Sequence, residues 1–494
     1  MILLFLSSGL FLGWSLGAND AANVFGTAVA TRMVRFRTAA TVCSVFVVIG
    51  AVIAGAGTTA TLGDLGAVNA LGGSFMVAIA AALAVIWMNR AGLPVSVSQA
   101  IIGGIVGWNL FTGTSTDVPS LVKIVTSWVA CPILAAGFSA ALYLGARALI
   151  NRVDIHLLEL DALTRILLLA AGAFGAFALG ANNIANVMGV FVPAFPSGTF
   201  AMIGPLRVSA AQILFFVGGL AVAVGIFTYS QRVMATVGKS LFKLNPVTAL
   251  VVILAESLVL FLFASQGLES WLIARGLPPI PLVPVSSSQA VIGGVIGIAL
   301  VKGGRGVHLG VLGRVAGGWA ATPALAALIA FLGLFFLQNV FGVVVRRPVP
   351  YELTPAAVER IADRGLWVPA LGELTGTRFP NEREFRTVLS RRTDLDASGI
   401  EAVTAAAEID SFAIDPARLR ELDPYVLNPD QLDAVRALSG RSFRHTWEFE
   451  DALAERTAAW ARLPGTRANR VSNDELESDL RYVFDMFRRW PGTP

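Results

Sequence analysis

Gly17-Ala18-Asn19-Asp20-Ala21-Ala22-Asn23 sits inside an apolar stretch spanning about residues 1–30, and it returns as Gly180-Ala181-Asn182-Asn183-Ile184-Ala185-Asn186 inside another at about 166–194. Amide and acidic side chains are costly in hydrocarbon, so the same order appearing twice marks a need of structure or function. A second pair follows the first in each half: Pro94-Val95-Ser96-Val97-Ser98-Gln99-Ala100, then Pro284-Val285-Ser286-Ser287-Ser288-Gln289-Ala290. Two motifs in duplicate predict a membrane protein of two repeats around one shared site.

The rest of the composition agrees. Of 494 residues, 55% are hydrophobic, 14% charged and 49 are glycine, with a mean hydropathy of +0.69, as in a polytopic helical protein of the cell membrane. The net charge of +4 hides a split, because residues 1–345 hold 16 Lys and Arg against 8 Asp and Glu, while 346–494 hold 21 against 25. The basic excess fits loops facing the cytoplasm and anionic lipid, and no nucleic-acid motif gives it another meaning. Cys43 and Cys131 lie in apolar runs and read as buried packing residues, without a disulfide framework or metal-ligand spacing. The N-terminus lacks the basic region of a signal peptide and reads as a retained first span.

Apolar stretches fall at about 1–30, 39–57, 74–90, 94–112 and 121–150, and again at 166–194, 206–229, 247–274, 284–301 and 309–345. Those at 94–112 and 284–301 are short, glycine-rich and open on Pro and Ser, as the returning arm of a re-entrant hairpin would. Basic residues test the sense of the repeats. Arg32, Arg35 and Arg37 follow the first Asn motif and the next loop has none, whereas the loop after the second motif is uncharged and the next holds Arg232, Lys239 and Lys243. The positive-inside rule then makes the halves inverted. The expected fold is an all-α polytopic membrane protein of two inverted-topology repeats, with broken helices and re-entrant hairpins. Its parts are repeat 1 at 1–150, a cytoplasmic linker at 151–165 that includes Asp154, repeat 2 at 166–345, and a small soluble helical domain at 346–494, with amphipathic helices at 415–439 and 446–462. The side of the membrane taken by that last domain is left open, as is its role in regulation, oligomerisation or partner binding.

Asp20 and Glu256 are the plain intramembrane carboxylates. With Asn19, Asn23, Asn182, Asn183 and Asn186, Asp20 offers oxygen ligands of the kind a hard cation prefers. The bland alternative, that the amides only satisfy backbone freed by the glycines, is less able to explain two copies. Asp20, Asn23, Asn183, Asn186 and Glu256 are the expected coupling-ion residues, with sodium near Asp20, although Glu256 serves equally as a proton carrier or a hydrogen-bond brace. Ser96, Ser98, Ser286, Ser287 and Ser288 crowd helix N-termini, where unpaired N–H groups and hydroxyls suit a tetrahedral oxyanion; plain N-capping is the alternative. Gln99 and Gln289 stand between ligand and hairpin brace. Glycines 103, 104, 107, 293, 294 and 297 read as close-packing positions. Arg90 and Arg275 read as snorkelling cations more than anion attractors. His156, His308 and His445 fall in loops or the tail, away from any intramembrane relay.

These motifs resemble the inorganic phosphate transporter family, the sodium- or proton-coupled phosphate permeases. The resemblance covers about residues 1–345 and rests on residues 17–27, on 180–189 and on the two Pro-Val-Ser hairpins. It implies an inverted-repeat fold, a central phosphate site and cation-coupled uptake. It also implies that the Asn/Asp motifs line the ion and phosphate region, with Ser96, Ser98, Ser286 and Ser288 at the hairpin tips. Three departures stand out: Asn183 where the family has Asp, Ser-Val-Ser-Gln and Ser-Ser-Ser-Gln where it has Ser-Thr-Thr-His, and no acid near Val47 in the next helix. Some relatives carry sulfate. The expectation is therefore a secondary transporter importing phosphate with Na+ or H+, with sulfate permease and anion channel as alternatives. No enzyme, no cofactor beyond the coupling ion, and no nucleic-acid partner is expected; a homo-oligomer stays open.

Overall fold

The computed structural model describes residues 2–66, 68–91, 93, 95–153, 156–195, 199–203, 206–234, 245–303, 309–424, 426–464, 466 and 469–489. Pro94, Asp154, Lys239, Lys243 and His308, named above, lie outside the described residues. The chain divides into two compact units, the first of them Met1–Phe111, Thr116–Ala194 and Ala211–Arg346. Its helices are α1 (Ile2–Ala30), α2 (Phe36–Ala54), α3 (Ala56–Leu65), α4 (Leu71–Arg90), α5 (Val97–Thr112), α6 (Val118–Arg152), α7 (Leu157–Met188), α8 (Ala210–Thr228), α9 (Pro246–Leu262), α10 (Gln266–Ala274), α11 (Ser287–Val301) and α12 (Leu309–Asn339).

Among the described residues seven helices are long and apolar enough to cross a bilayer, and α9 with α10, bent by 66°, makes an eighth if the pair is one span. Helices α5 and α11 have 16 and 15 residues. At 1.5 Å per residue they reach about 24 Å, short of the ~30 Å hydrocarbon core. On α6 the outward face is more apolar than the inward one. On α6, Val122, Val125, Val129 and Ile133 are exposed while Ser127, Cys131, Ala135 and Ser139 are buried, because lipid solvates alkyl groups as well as a protein core does. Cys43 and Cys131 are buried free thiols, as expected.

One sequence expectation needs correction. Helices α1 and α7 run unbroken through residues 17–23 and 180–186, so no backbone is unwound at the Asn motifs. The motif glycines serve close approach instead: a methyl on Gly17 would strike the Val222 backbone, and one on Gly180 the Val47 backbone. The breaks fall elsewhere, at Gly55 between α2 and α3, at 263–265 between α9 and α10, and in the segments leading into α5 and α11.

Four close crossings of this kind form two matched pairs. Gly17 and Gly225 bring α1 and α8 together as Gly180 and Gly50 bring α7 and α2. Gly103 and Gly107 of α5 lie on Pro323 and Ala327 of α12, as Gly293 and Gly297 of α11 lie on Pro132 and Ala136 of α6. In all four seams the partners come from opposite halves. Neither half therefore buries its small-residue faces alone, and a two-sided site is formed wherever the motifs meet.

The second unit is Thr112–Ser115, Phe195–Ala210 and Arg347–Pro494. Its tail carries short strand pairs as well as helices, and it is internally duplicated. Tyr351–Glu352 pairs with Arg378–Phe379 as Phe412–Ala413 pairs with Ser442–Phe443. Leu374, Gly376, Phe379, Glu384, Phe385 and Leu389 recur in the same order as Leu438, Gly440, Phe443, Glu448, Phe449 and Leu453. Gly376 and Gly440 share a φ of 78°, a turn conformation that favours glycine. Each copy has its own apolar core, around Phe379 and Phe385 in one and Phe443 and Phe449 in the other. His445 joins them, with Nε2 at 2.8 Å from Thr354 Oγ1 and Nδ1 at 2.7 Å from the Glu408 carbonyl. The amphipathic helix expected over 415–439 is only Pro429–Ala437 plus a 3-10 turn at Arg418–Arg420, and that over 446–462 is Thr446–Ala454 and a turn. Pro429 at a capped N-terminus, with the Asn428 and Gln431 capping box, starts the first of these late.

Candidate functional site

Asn19, Asp20 and Asn23 lie within one turn of α1, and 19 and 23 share a face. That turn meets the N-terminus of α11. Ser287 Oγ donates to Asp20 Oδ2 at 3.0 Å, and Asn19 Nδ2 donates to Oδ1 at 3.0 Å. Asn23 Nδ2 in turn donates to Ser287 Oγ at 3.0 Å and Ser288 Oγ at 3.5 Å. Asp20 is buried, while Asn19 and Asn23 are only half-buried. An anionic oxygen, two amides and two hydroxyls thus stand at a helix N-terminus whose first N–H groups lack intrahelical partners. The arrangement can hold a cation at the carboxylate and an anion at the helix end.

The second motif meets α5 in the equivalent way but with neutral groups. Asn186 Nδ2 donates to Ser98 Oγ at 2.8 Å and to Asn183 Oδ1 at 2.9 Å. Ser98 Oγ lies 3.1 Å from the Val285 carbonyl and 3.4 Å from Asn183 Oδ1. Asn182 grips the strand-like approach to α11, its Oδ1 accepting from Val285 N at 3.1 Å and its Nδ2 reaching the Val283 carbonyl at 3.4 Å. Asn182 and Asn186 are fully buried and Asn183 is 3% exposed. This copy is sealed where the first is open.

A small cavity lies beside it. Val47 and Asn183 line the same water-sized cavity, with Leu16, Ala51, Leu179, Gly180, Ile184 and Val222 completing its apolar wall. The second motif, residues 180–186, carries no carboxylate.

Glu256 on α9 is 1% exposed, and neither carboxylate oxygen has a hydrogen-bond partner in the structure. The brace reading therefore finds no bond to rest on. Asp20 and Glu256 are thus two buried acids among the spanning helices, and a buried carboxylate calls for a proton, a cation or donors.

The remaining residues sort by geometry. Ser96 and Ser286 are N-caps, their Oγ accepting from Gln99 N at 3.4 Å and Gln289 N at 3.3 Å, so here the bland reading holds. Ser98, Ser287 and Ser288 are the hydroxyls turned to the motifs. Gln99 and Gln289 are each 2% exposed. Arg90 and Arg275 are exposed, and Arg275 stacks on Trp271 at 4.0 Å, as snorkelling side chains do. His156 caps α7 by accepting from Leu158 N. Sequence reasoning missed the backbone of Val283 and Val285, because a main-chain ligand leaves no mark in residue type.

The fold and site define a multi-pass integral membrane protein in which a polar centre is assembled from two related halves. The description "Phosphate transporter family" matches over residues 16–269 and 281–394. The chain belongs to that transporter family. A protein of Methanocaldococcus jannaschii named "Putative phosphate permease" is 28% identical over 324 residues, 65% of this chain and 93% of that protein. The sulfate permease CysP of Bacillus subtilis is 29% identical over 343 residues, 68% of this chain and 88% of its own length. A solved structure described as the sodium-dependent phosphate transporter shares the fold, with a TM-score of 0.56 at 20% identity, over 69% of this chain and 99% of that one.

Proposed function

We propose that this chain is a secondary transporter that imports inorganic phosphate with one coupling cation, Na+ or H+, held at Asp20. The observation that carries this reading is the closure of a buried carboxylate on a serine-bearing helix N-terminus, Asp20 on Ser287 at 3.0 Å. A cation at Asp20 and an oxyanion at Ser287, Ser288 and Asn23 would neutralise one another, so each favours binding of the other. That mutual dependence is what coupling requires. Glu256, likewise buried, takes the proton or adds charge to the cation site. The neutral second motif acts as the fixed partner, tying Ser98 to Val285 across the halves.

The reading divides the chain as repeat 1 at 1–150, linker 151–165, repeat 2 at 166–345 and a soluble domain at 346–494, with the repeats inverted as the loop charges indicate. The reciprocal glycine seams support two equivalent halves. Alternating access then comes from one set of elements moving against the other. Sulfate is the second reading, favoured by the 29% identity to a sulfate permease and by the same tetrahedral geometry.

Labelled phosphate uptake into proteoliposomes, with sulfate as competitor, tests the assignment under an imposed sodium gradient and under a pH gradient alone. Uphill phosphate uptake that needs one gradient and resists excess sulfate is expected. Purely downhill flux would make the protein a channel, and displacement by sulfate would make it a sulfate carrier. Removal of residues 350–494 is expected to leave the anion preference unchanged, and a changed preference would place the tail in the site.

A further inference from the structure

Helices α5 and α11 carry a pair of buried groups that the site does not use. Gln99 Oε1 and Gln289 Oε1 lack hydrogen-bond partners, and so do the buried indole Nε1 atoms of Trp319 and Trp128. One acceptor and one donor are thus left over, in duplicate.

Helix register brings them together. Gly103 lies on Pro323 and Gly107 on Ala327, so α5 and α12 run parallel, and each step of four residues along one matches four along the other. One turn earlier on those same faces stand Gln99 and Trp319. Gly318, next to Trp319, lies beside Leu93 and Val95, which fixes that level at the start of α5. The other seam repeats the geometry: Gly293 on Pro132 and Gly297 on Ala136 lead back one turn to Gln289 and Trp128. Cys131 Sγ, at 3.5 Å from the Ser286 carbonyl, also ties α6 to the residue that precedes α11.

We infer that Gln99 with Trp319, and Gln289 with Trp128, are matched positioning pairs. In each, the indole N–H reaches the amide carbonyl through one bridging water, the two atoms making no direct bond, and the pair seats a short helix on the long helix of the opposite half. The glycine crossing lets the helices touch, and the Gln and Trp side chains fill the space where they splay. An apolar glycine crossing resists sliding and rotation weakly, whereas a directional hydrogen bond sets both. Gln99 follows Ser98 and Gln289 follows Ser288, so the setting of each pair decides where the site hydroxyls point. This rests on the transport reading for its kinetic consequence and on geometry alone for the bond. It moves both glutamines from anion ligand to brace.

The test uses the full-length protein with Gln99→Leu, Trp319→Phe, Gln289→Leu and Trp128→Phe, alone and in pairs. Ultraviolet resonance Raman difference spectra against each Trp→Phe variant isolate one indole. The Trp319 spectrum is expected to show a hydrogen-bonded N–H that is lost in Gln99→Leu and kept in Gln289→Leu. A Trp319 spectrum indifferent to Gln99 overturns the pairing, whether or not the protein transports phosphate. Removing one partner of a buried bond leaves the other unsatisfied, so each single variant is expected to raise the phosphate KM about tenfold. The double variant within a seam is expected to be no worse than a single one, while doubles across seams multiply. Multiplication within a seam, or a raised KM in Gln99→Leu with Trp319→Phe unchanged, would return Gln99 to the substrate.

Discussion

Replacing Asp20 by Asn is the most direct probe of how this protein couples anion to cation. The change preserves shape. Ser287 Oγ at 3.0 Å and Asn19 Nδ2 at 3.0 Å both donate to the carboxylate, and an amide keeps one acceptor for them while the Ser287 hydroxyl can rotate to accept from the new N–H. Exchanging a charge-assisted bond of about 1.5–3 kcal/mol for a neutral one of about 0.5–1.5 costs about 1–1.5 kcal/mol, or about 2–3 kcal/mol for the two, while removing an acid from the bilayer interior returns about 2.5–3.5 kcal/mol on insertion scales. These terms nearly cancel, so the variant is expected to fold and reach the membrane. The cation, however, loses its only charged ligand in the motif. If that ligand contributes about 1.5–3 kcal/mol, the cation concentration for half-maximal phosphate uptake rises about 10- to 150-fold. The assay is initial uptake in proteoliposomes while external sodium, or pH at fixed sodium, is varied. A well-folded variant whose half-saturation moves less than threefold would refute the placement of the coupling ion at Asp20.

The converse change, Asn183→Asp, puts an acid into the cavity beside Val47 while keeping the acceptor used by Asn186 and Ser98, and it is expected to steepen the cation dependence of uptake; an unchanged Hill slope with uptake retained would refute it. Gly293→Ala drives a methyl into the Pro132 backbone and is expected to cost about 1–3 kcal/mol in thermal unfolding of the detergent-solubilised protein, whereas Gly137→Ala, with nothing within 4 Å, is expected to match wild type. In the tail, burial pushes the Glu408 carboxyl up from 4.5 to about 7, with Asp410 and Glu382 adding and Arg488 opposing. The folded tail therefore holds that proton more tightly than the unfolded chain, and stability falls as pH rises from about 4.5 through about 7. Glu408→Gln should remove a penalty of at most about 3 kcal/mol, read as slower hydrogen exchange over residues 397–413 at pH 8 with no gain at pH 4.5. Equal protection in variant and wild type at both pH values would overturn it.

Much of this was legible in the chain. Apolar runs located the spans, and the duplicated Asn motif and Ser-rich helix starts picked out segments that the structure brings into contact, Asp20 with Ser287 and Asn186 with Ser98, because hydrocarbon tolerates few residue types and makes exceptions conspicuous. The motif helices were misread as broken because glycine signals both a break and a close approach, and only the opposing backbones of Val222 and Val47 decide which. The duplication of the tail escaped notice because its matching positions, such as Phe379 with Phe443 and Phe385 with Phe449, are core residues separated by unrelated surface.

By itself, then, the sequence determined the class of protein and its apolar spans and raised the expectation of a two-fold plan around the Asn and Ser motifs, since each follows from what a bilayer permits locally. Tertiary structure alone decided which serine meets which motif, that the acidic first copy is half-open while the neutral second is sealed, and which long helix each short helix rests on. Those are facts of contact between segments far apart in the chain, and contact is set by packing and register, which residue types constrain but do not spell out.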